Sequence, residues 1–259
     1  MSGLPYLQRY SLAGQVALVT GSGRGLGLAI ARAMAGAGAH VLLNGRNPGP
    51  LQAAAQDLAG QGLSAQALPF DVADDAARDA AFARIRDEHG RLDILVNNVG
   101  ARNRKTLAEI TAPEVRALIE TDLVAAILLS RAAAQLMAPR RHGRLIAITS
   151  VVGELARVGD AIYPAAKQGL TGLVRAMAME FGALGITSNA IAPGTFATET
   201  NAAMAADPKS GPAVAARNPM GRWGEPDEIA GAAVFLASPA ASFVNGHVLV
   251  VDGGLSIQF

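Results

Sequence analysis

Apolar residues in this chain fall into short unbroken runs, separated by longer segments where they recur every three or four positions. Unbroken runs fit strands buried on both faces; the longer spacing fits helices with one buried side. Val16 to Thr20 predicts a first strand, Leu26 to Ala37 an alanine-rich helix, and Ala39 to Leu43 a second strand stopped by Asn44-Gly45. Leu51 to Leu58 predicts a helix, Ser64 to Phe70 a third strand, Asp74 to Glu88 an amphipathic helix, and Leu92 to Val96 a fourth strand. Pro113 to Met137 reads as one long helix, with Thr111 as its N-cap and Pro113 in its first turn. Arg144 to Thr149, Ile186 to Ile191 and His247 to Val251 complete the strands; Ile162 to Leu184 and Pro226 to Ala237 complete the helices. Thr195 to Arg222, interrupted by Pro208, Pro212 and Pro219, predicts an irregular loop.

Strand and helix alternate throughout, which predicts a parallel sheet covered on both faces. The expected fold is α/β: one Rossmann-type, doubly wound, seven-stranded domain over residues 14–259, preceded by an arm over residues 1–13. In such sheets ligands bind beyond the carboxyl ends of the strands. A loop as long as residues 195–222 is usually functional there, often as a lid over the substrate.

Composition narrows the function classes. The chain has 259 residues, 51% apolar and 17% charged, with a net charge of +1. That supports a sizeable core and gives no field to draw nucleic acid or a membrane surface. Cysteine is absent, which excludes disulfides and thiolate metal sites and fits a cytoplasmic protein. Met1 to Tyr10 has no long apolar core, so no signal peptide is expected, and apolar runs such as Leu123 to Leu129 are too short to span a bilayer. His40, His89, His142 and His247 lack ligand spacing, so no metal is expected.

The chemistry begins at Thr20-Gly21-Ser22-Gly23-Arg24-Gly25-Leu26-Gly27, after the first strand and at the start of the first helix. Glycines there let backbone approach a pyrophosphate at a helix N-terminus, so Gly21, Ser22, Arg24, Gly25, Leu26 and Gly27 are candidate dinucleotide contacts. The second strand ends in Asn44-Gly45-Arg46, without the acid that would bond the ribose hydroxyls of NAD. Arg46 and Arg24 could hold a 2′-phosphate, so NADP is expected over NAD. Asp71, beside Val72, could accept from an adenine amino group. Asn97 and Asn98 either tie neighbouring strands or line the cofactor crevice.

Tyr163 and Lys167 are four apart and share one helix face, with Ser150 at the end of the fifth strand. A phenol is a poor acid or base at neutral pH until a neighbouring cation stabilises the phenolate. With a hydroxyl to hold a substrate oxygen, the three would move a proton on or off an alcohol or carbonyl.

In order and spacing, these pieces, with Asn97-Asn98-Val99-Gly100, Pro193-Gly194, Thr198 and Val251-Asp252-Gly253-Gly254, resemble the short-chain dehydrogenase/reductase family from about Leu12 onward. The resemblance implies that Tyr163 donates and accepts the proton, Ser150 holds the substrate oxygen, and Lys167 lowers the tyrosine pKa and bonds the nicotinamide ribose. It places Asn98, Val99, Gly100, Pro193, Gly194 and Thr198 against the cofactor. Asn44-Gly45-Arg46-Asn47, Phe196 to Asn201, Gly221-Arg222-Trp223-Gly224 and Ser242 to Gly246 look like gluconate 5-dehydrogenases, also called 5-ketogluconate reductases. Homotetramers are usual in the family, with the two long helices pairing across an interface and the C-terminus, through Phe259, reaching a neighbouring subunit.

One position departs from the pattern. Asp122 stands where the family often has an asparagine that anchors a water in a proton relay from the lysine. An ionised aspartate cannot donate, and it would favour the Lys167 ammonium. A relay with altered pH dependence, a slowed relay and a cofactor-binding protein without turnover all remain open on that residue. For a sugar-acid carboxylate the candidate cations are Arg102 and Arg157, and Glu154 could bond sugar hydroxyls. Other carbonyl substrates, such as a 3-oxoacyl thioester, share the same chemistry.

Overall fold

The computed structural model describes residues 5–155 and 158–258. Its centre is a seven-stranded, all-parallel sheet: β1 (Val16–Val19), β2 (His40–Gly45), β3 (Ala65–Pro69), β4 (Ile94–Asn97), β5 (Gly143–Ile148), β6 (Ile186–Pro193) and β7 (Val248–Val251). Their spatial order is β3-β2-β1-β4-β5-β6-β7. The order reverses between β1 and β4, which are paired at Leu18 and Leu95, and this switch opens a crevice at the carboxyl edge. The apolar runs are explained by burial: every residue of β1, β4, β5 and β6 is buried.

Helices cover both faces. Against one lie α1 (Gly25–Gly36), α2 (Pro48–Gly60) and α9 (Ala230–Ala237), with Ile30, Met34, Leu51, Leu58 and Leu236 in the core. Against the other lie α3 (Asp75–His89), α5 (Ala125–Met137) and α6 (Ile162–Phe181), contributing Phe82, Ile85, Leu129, Met137 and Met177. Each such fully buried side chain contributes roughly 1.5–3 kcal/mol. The chain ahead of β1 also joins the core: Leu12 is wholly buried, and its N–H donates to Ala37 at 2.8 Å.

Two stretches differ from the sequence expectation. The long helix is not uniform: α4 (Ala112–Ile119) and α5 are joined by a π-helical turn over Glu120–Val124. The extra residue per turn shifts the helix face locally, and Asp122 lies within it. Thr111 does begin α4, its N–H and hydroxyl both held by Glu114 at 2.9 and 3.0 Å. The loop after β6 contains two short helices, α7 (Ala202–Ala206) and α8 (Ser210–Ala215). The Trp223 indole N–H donates to Gly211 at 3.1 Å, fastening α8 to the loop's far end.

Candidate active site

The glycine loop leaves β1 and enters α1 through positive φ angles at Gly21 (62°) and Gly25 (58°), a conformation that favours glycine. A Cβ on Gly27 would stand 2.4 Å from the Gly21 carbonyl oxygen, so only glycine lets helix and loop approach this closely. Ser22 fastens the loop to β2: its N–H donates to the Asn44 carbonyl at 2.8 Å, and its Oγ accepts the Asn44 N–H at 2.9 Å. The crevice above encloses about 1070 Å³ and is walled by Gly21, Arg24, Gly25, Leu26, Gly27, Asn44, Arg46, Asp71, Val72, Asn98, Val99, Gly100, Pro193, Gly194 and Thr198.

Those residues play different parts. Arg24 and Arg46 are exposed at its rim and form no ion pair among the described residues, so both are free to meet an anion. Asn44 is wholly buried and its amide donates to Leu68 and Phe70, which tie β2 to β3. Of the two options, tying neighbouring strands or lining the crevice, Asn98 meets both, whereas Asn97 braces helix α5. Asn97 donates to Ser130 at 2.9 Å beneath the site. Asn98 lines the crevice while donating to Thr20 and Gly21 at 2.9 and 3.2 Å, so it braces the glycine loop. Asp71 turns one oxygen to the Ala73 amide at 3.0 Å.

At the end of β5, Ser150 caps a short 3₁₀ turn by accepting the Val152 N–H at 3.2 Å. Tyr163 and Lys167 project from the first turns of α6, and all three line the crevice. Lys167 is 2% exposed; its Nζ donates to the Ile148 carbonyl at 2.9 Å and stands 5.5 Å from the Tyr163 ring centroid. Burial pushes the Lys167 ammonium below the usual lysine range, against the opposing pull of Asp122.

Two further groups act on the tyrosine beside Lys167. Burial pushes the Tyr163 phenol above its ordinary value, against the opposing pull of Arg102 and of the neighbouring Ser150 hydroxyl. The Arg102 guanidinium carbon lies 4.7 Å from the Tyr163 ring centroid.

Asp122 is 1% exposed. Its Oδ1 accepts the Ala101 N–H at 2.6 Å, and burial pushes its carboxyl above the usual carboxylate range. Gly100 is wedged beside it: a Cβ there would stand 3.1 Å from Lys167 Nζ.

The substrate candidates separate. Arg102 lines the crevice, where Asp160, itself 2% exposed, holds its Nε at 2.5 Å and also binds its Nη2. No motif marks Asp160, whose partner lies 58 residues away in the loop after a different strand. Glu154 is exposed and does not wall the crevice, so its expected place among sugar hydroxyls is not met. Arg157 lies outside the described residues.

The crevice fits a dinucleotide by its construction: a cradle that any Cβ at Gly27 would fill, two arginines at its rim with no ion pair among the described residues, and Tyr163, Lys167 and Ser150 at its other end. Comparison with known proteins agrees. The family model described as enoyl-(acyl carrier protein) reductase matches residues 21–256. Gluconate 5-dehydrogenase of Gluconobacter oxydans (strain 621H) is 43% identical over 249 residues, spanning 96% of this chain and 97% of that protein. 3-Oxoacyl-(acyl-carrier-protein) reductase of Escherichia coli (strain K12) is 40% identical over 242 residues, spanning 93% and 97%. The crystal structure of a gluconate 5-dehydrogenase from Burkholderia cenocepacia J2315, in complex with NADP and tartrate, matches with a TM-score of 0.93 at 41% identity over 98% of this chain and 100% of that one. Identity at this level across nearly the whole length, on the same fold, means that the chain belongs to the short-chain dehydrogenase/reductase family of oxidoreductases.

Proposed function

We propose that this protein is an NADP-dependent oxidoreductase that interconverts a secondary alcohol and a ketone on a sugar acid, with gluconate and 5-ketogluconate as the expected pair. The observation that carries the substrate class is Arg102, a cation set against the Tyr163 ring at the crevice wall. Asp160 engages Nε and Nη2 from one side, which leaves Nη1 for a carboxylate. The gluconate-oxidising relatives at 43% and 41% identity support the same class.

A nicotinamide cofactor held in this crevice would supply or take the hydride. The protein's own groups do the rest. The Ser150 hydroxyl donates to the substrate oxygen and fixes its position beside the phenol. In reduction, the Tyr163 Oη proton passes to that oxygen; in oxidation, the phenolate takes it back. Lys167, held by the Ile148 carbonyl, keeps positive charge beside the phenol and bonds the cofactor ribose. The glycine loop would cradle the pyrophosphate through Gly21, Arg24, Gly25, Leu26 and Gly27, while Ser22, wholly buried and off the crevice wall, does not meet its expected contact. Arg24 and Arg46 would take the 2′-phosphate, and Pro193, Gly194 and Thr198 would back the nicotinamide. Asp71 and Val72, on the crevice wall, would border the adenine.

The 40% identical thioester reductase keeps a second substrate reading in view. A panel of ketogluconates, uncharged ketoses and a 3-oxoacyl thioester, followed by loss of NADPH absorbance, decides between them. Turnover of the ketogluconates is expected, with Arg102→Ala raising their KM at least about tenfold, the worth of one charged contact. Preference for the thioester, or an unchanged KM, contradicts the sugar-acid reading.

The same reading makes the protein a cytoplasmic homotetramer. Apolar side chains left exposed on α6 and near β7, Met179 at 86% and Phe243 at 101%, supply faces for pairing. Among the described residues, no helix is long and apolar enough to cross a membrane. Light scattering reads the assembly directly.

A further inference from the structure

One buried acid has no task in the scheme above. Asp122 sits in the π-turn between α4 and α5 with 1% exposure. Its Oδ1 is matched to the Ala101 N–H at 2.6 Å. Its Oδ2 is enclosed and has no hydrogen-bond partner among the described residues. The nearest cation does not pair with it: Lys167 directs its Nζ to the Ile148 carbonyl and forms no ion pair among the described residues. The two groups instead flank Gly100, where a Cβ would stand 3.1 Å from Nζ and 3.9 Å from Oδ2. The other charged or titratable groups around this space are Tyr163 on α6 and Arg102 after β4, and Arg102 is held by Asp160. From the end of β5 come the Ile148 carbonyl, which holds Lys167, and the Ser150 hydroxyl beside Tyr163.

A buried carboxylate without an ion pair, and with one oxygen lacking any donor, is unstable relative to its neutral acid. The acid form removes the charge, which is the larger part of the cost of burying the group. We propose that Asp122 serves this site as a neutral carboxylic acid through neutral pH, and that it is a positioning residue that keeps negative charge away from Tyr163 and Lys167. Burial acts in that direction, outweighing the Ala101 N–H and Lys167, both of which favour the anion. Ionisation of Asp122 opposes the Tyr163 phenolate and favours the Lys167 ammonium. Alcohol oxidation at alkaline pH therefore carries two linked ionisations, the phenol's and this acid's.

The proposal rests on Tyr163 and Lys167 as the proton-transfer pair, but its first test does not need turnover. Infrared spectra of the full-length protein in D₂O at neutral pH should show a protonated carboxyl band that Asp122→Asn removes and that alkaline titration abolishes. The second test is the pH profile of oxidation. Asp122→Asn keeps the side chain's shape and its acceptor for Ala101 but cannot ionise. Its profile should reduce to a single ionisation, with the alkaline rate gaining up to about tenfold per unit of pKa relieved. Absence of the band in the parent protein overturns the proposal, and so does a profile that Asp122→Asn leaves unchanged. In a protein inactive on every substrate, the band alone still decides the protonation state, separately from the functional reading.

Discussion

At the residue scale, the tyrosine and lysine were legible because a four-residue spacing on a helix fixes one shared face. Arg102 was readable only as a nearby cation. Its position over the Tyr163 ring depends on Asp160, which reaches it from a loop remote in sequence. This geometry changes the expected pH behaviour. With burial holding the phenol pKa above its ordinary value, Tyr163 remains protonated through neutral pH and is ready to donate. Ketone reduction should stay flat through neutrality. Alcohol oxidation needs the phenolate, so its kcat should climb with pH well into the alkaline range. Steady-state rates in both directions from pH 6 to 11 check this; an oxidation rate that levels off below neutrality contradicts it.

At the element scale, the strands were legible almost to the residue, because a two-sided sheet demands unbroken apolar runs. The π-turn over Glu120–Val124 was not, since one extra backbone residue leaves the apolar spacing of a long helix nearly intact. α7 and α8 were hidden for another reason: they are five and six residues long and lie among prolines. Asn44, expected at the cofactor from its place at a strand end, lines the crevice while its amide ties β2 to β3. The glycine loop makes a sharp prediction at this scale. Gly27→Ala forces a methyl group to 2.4 Å from the Gly21 oxygen. The loop must move away from α1, at a cost of about 1–3 kcal/mol of overpacking. Cofactor affinity, read by fluorescence titration, should fall at least about tenfold. Parent-like affinity shows that the approach of helix and loop does not build the cradle.

At the scale of the whole molecule, charge is nearly balanced and the chemistry is confined to the carboxyl edge of the sheet. Elsewhere the fold holds an acid-sensitive feature that the scattered histidines did not reveal. His40 and His89 stack with ring centroids 5.0 Å apart, and His40 binds Ser64 at 2.7 Å. Burial and the neighbouring His40 depress the His89 pKa, and burial also depresses that of His142. A depressed histidine pKa means that the unfolded chain binds the proton first. Stability is therefore full above the ordinary value of about 6.5 and falls as pH drops below it. Urea midpoints at pH 7.5 and 5.5 should show this loss, and His89→Gln should lessen it while His142 keeps the remainder. An equal loss in the variant removes His89 from the account.

The central claim is that this crevice joins an NADP site to a proton-transferring tyrosine for a sugar-acid ketone. Its most direct measurement is kcat/KM for 5-ketogluconate with NADPH and with NADH, in the parent protein and in Tyr163→Phe. The account predicts turnover with a clear preference for NADPH, and a loss of about 10²–10⁴-fold in Tyr163→Phe while NADPH still binds. Turnover that survives in Tyr163→Phe, or a parent protein that binds NADPH and reduces no ketogluconate, would contradict it.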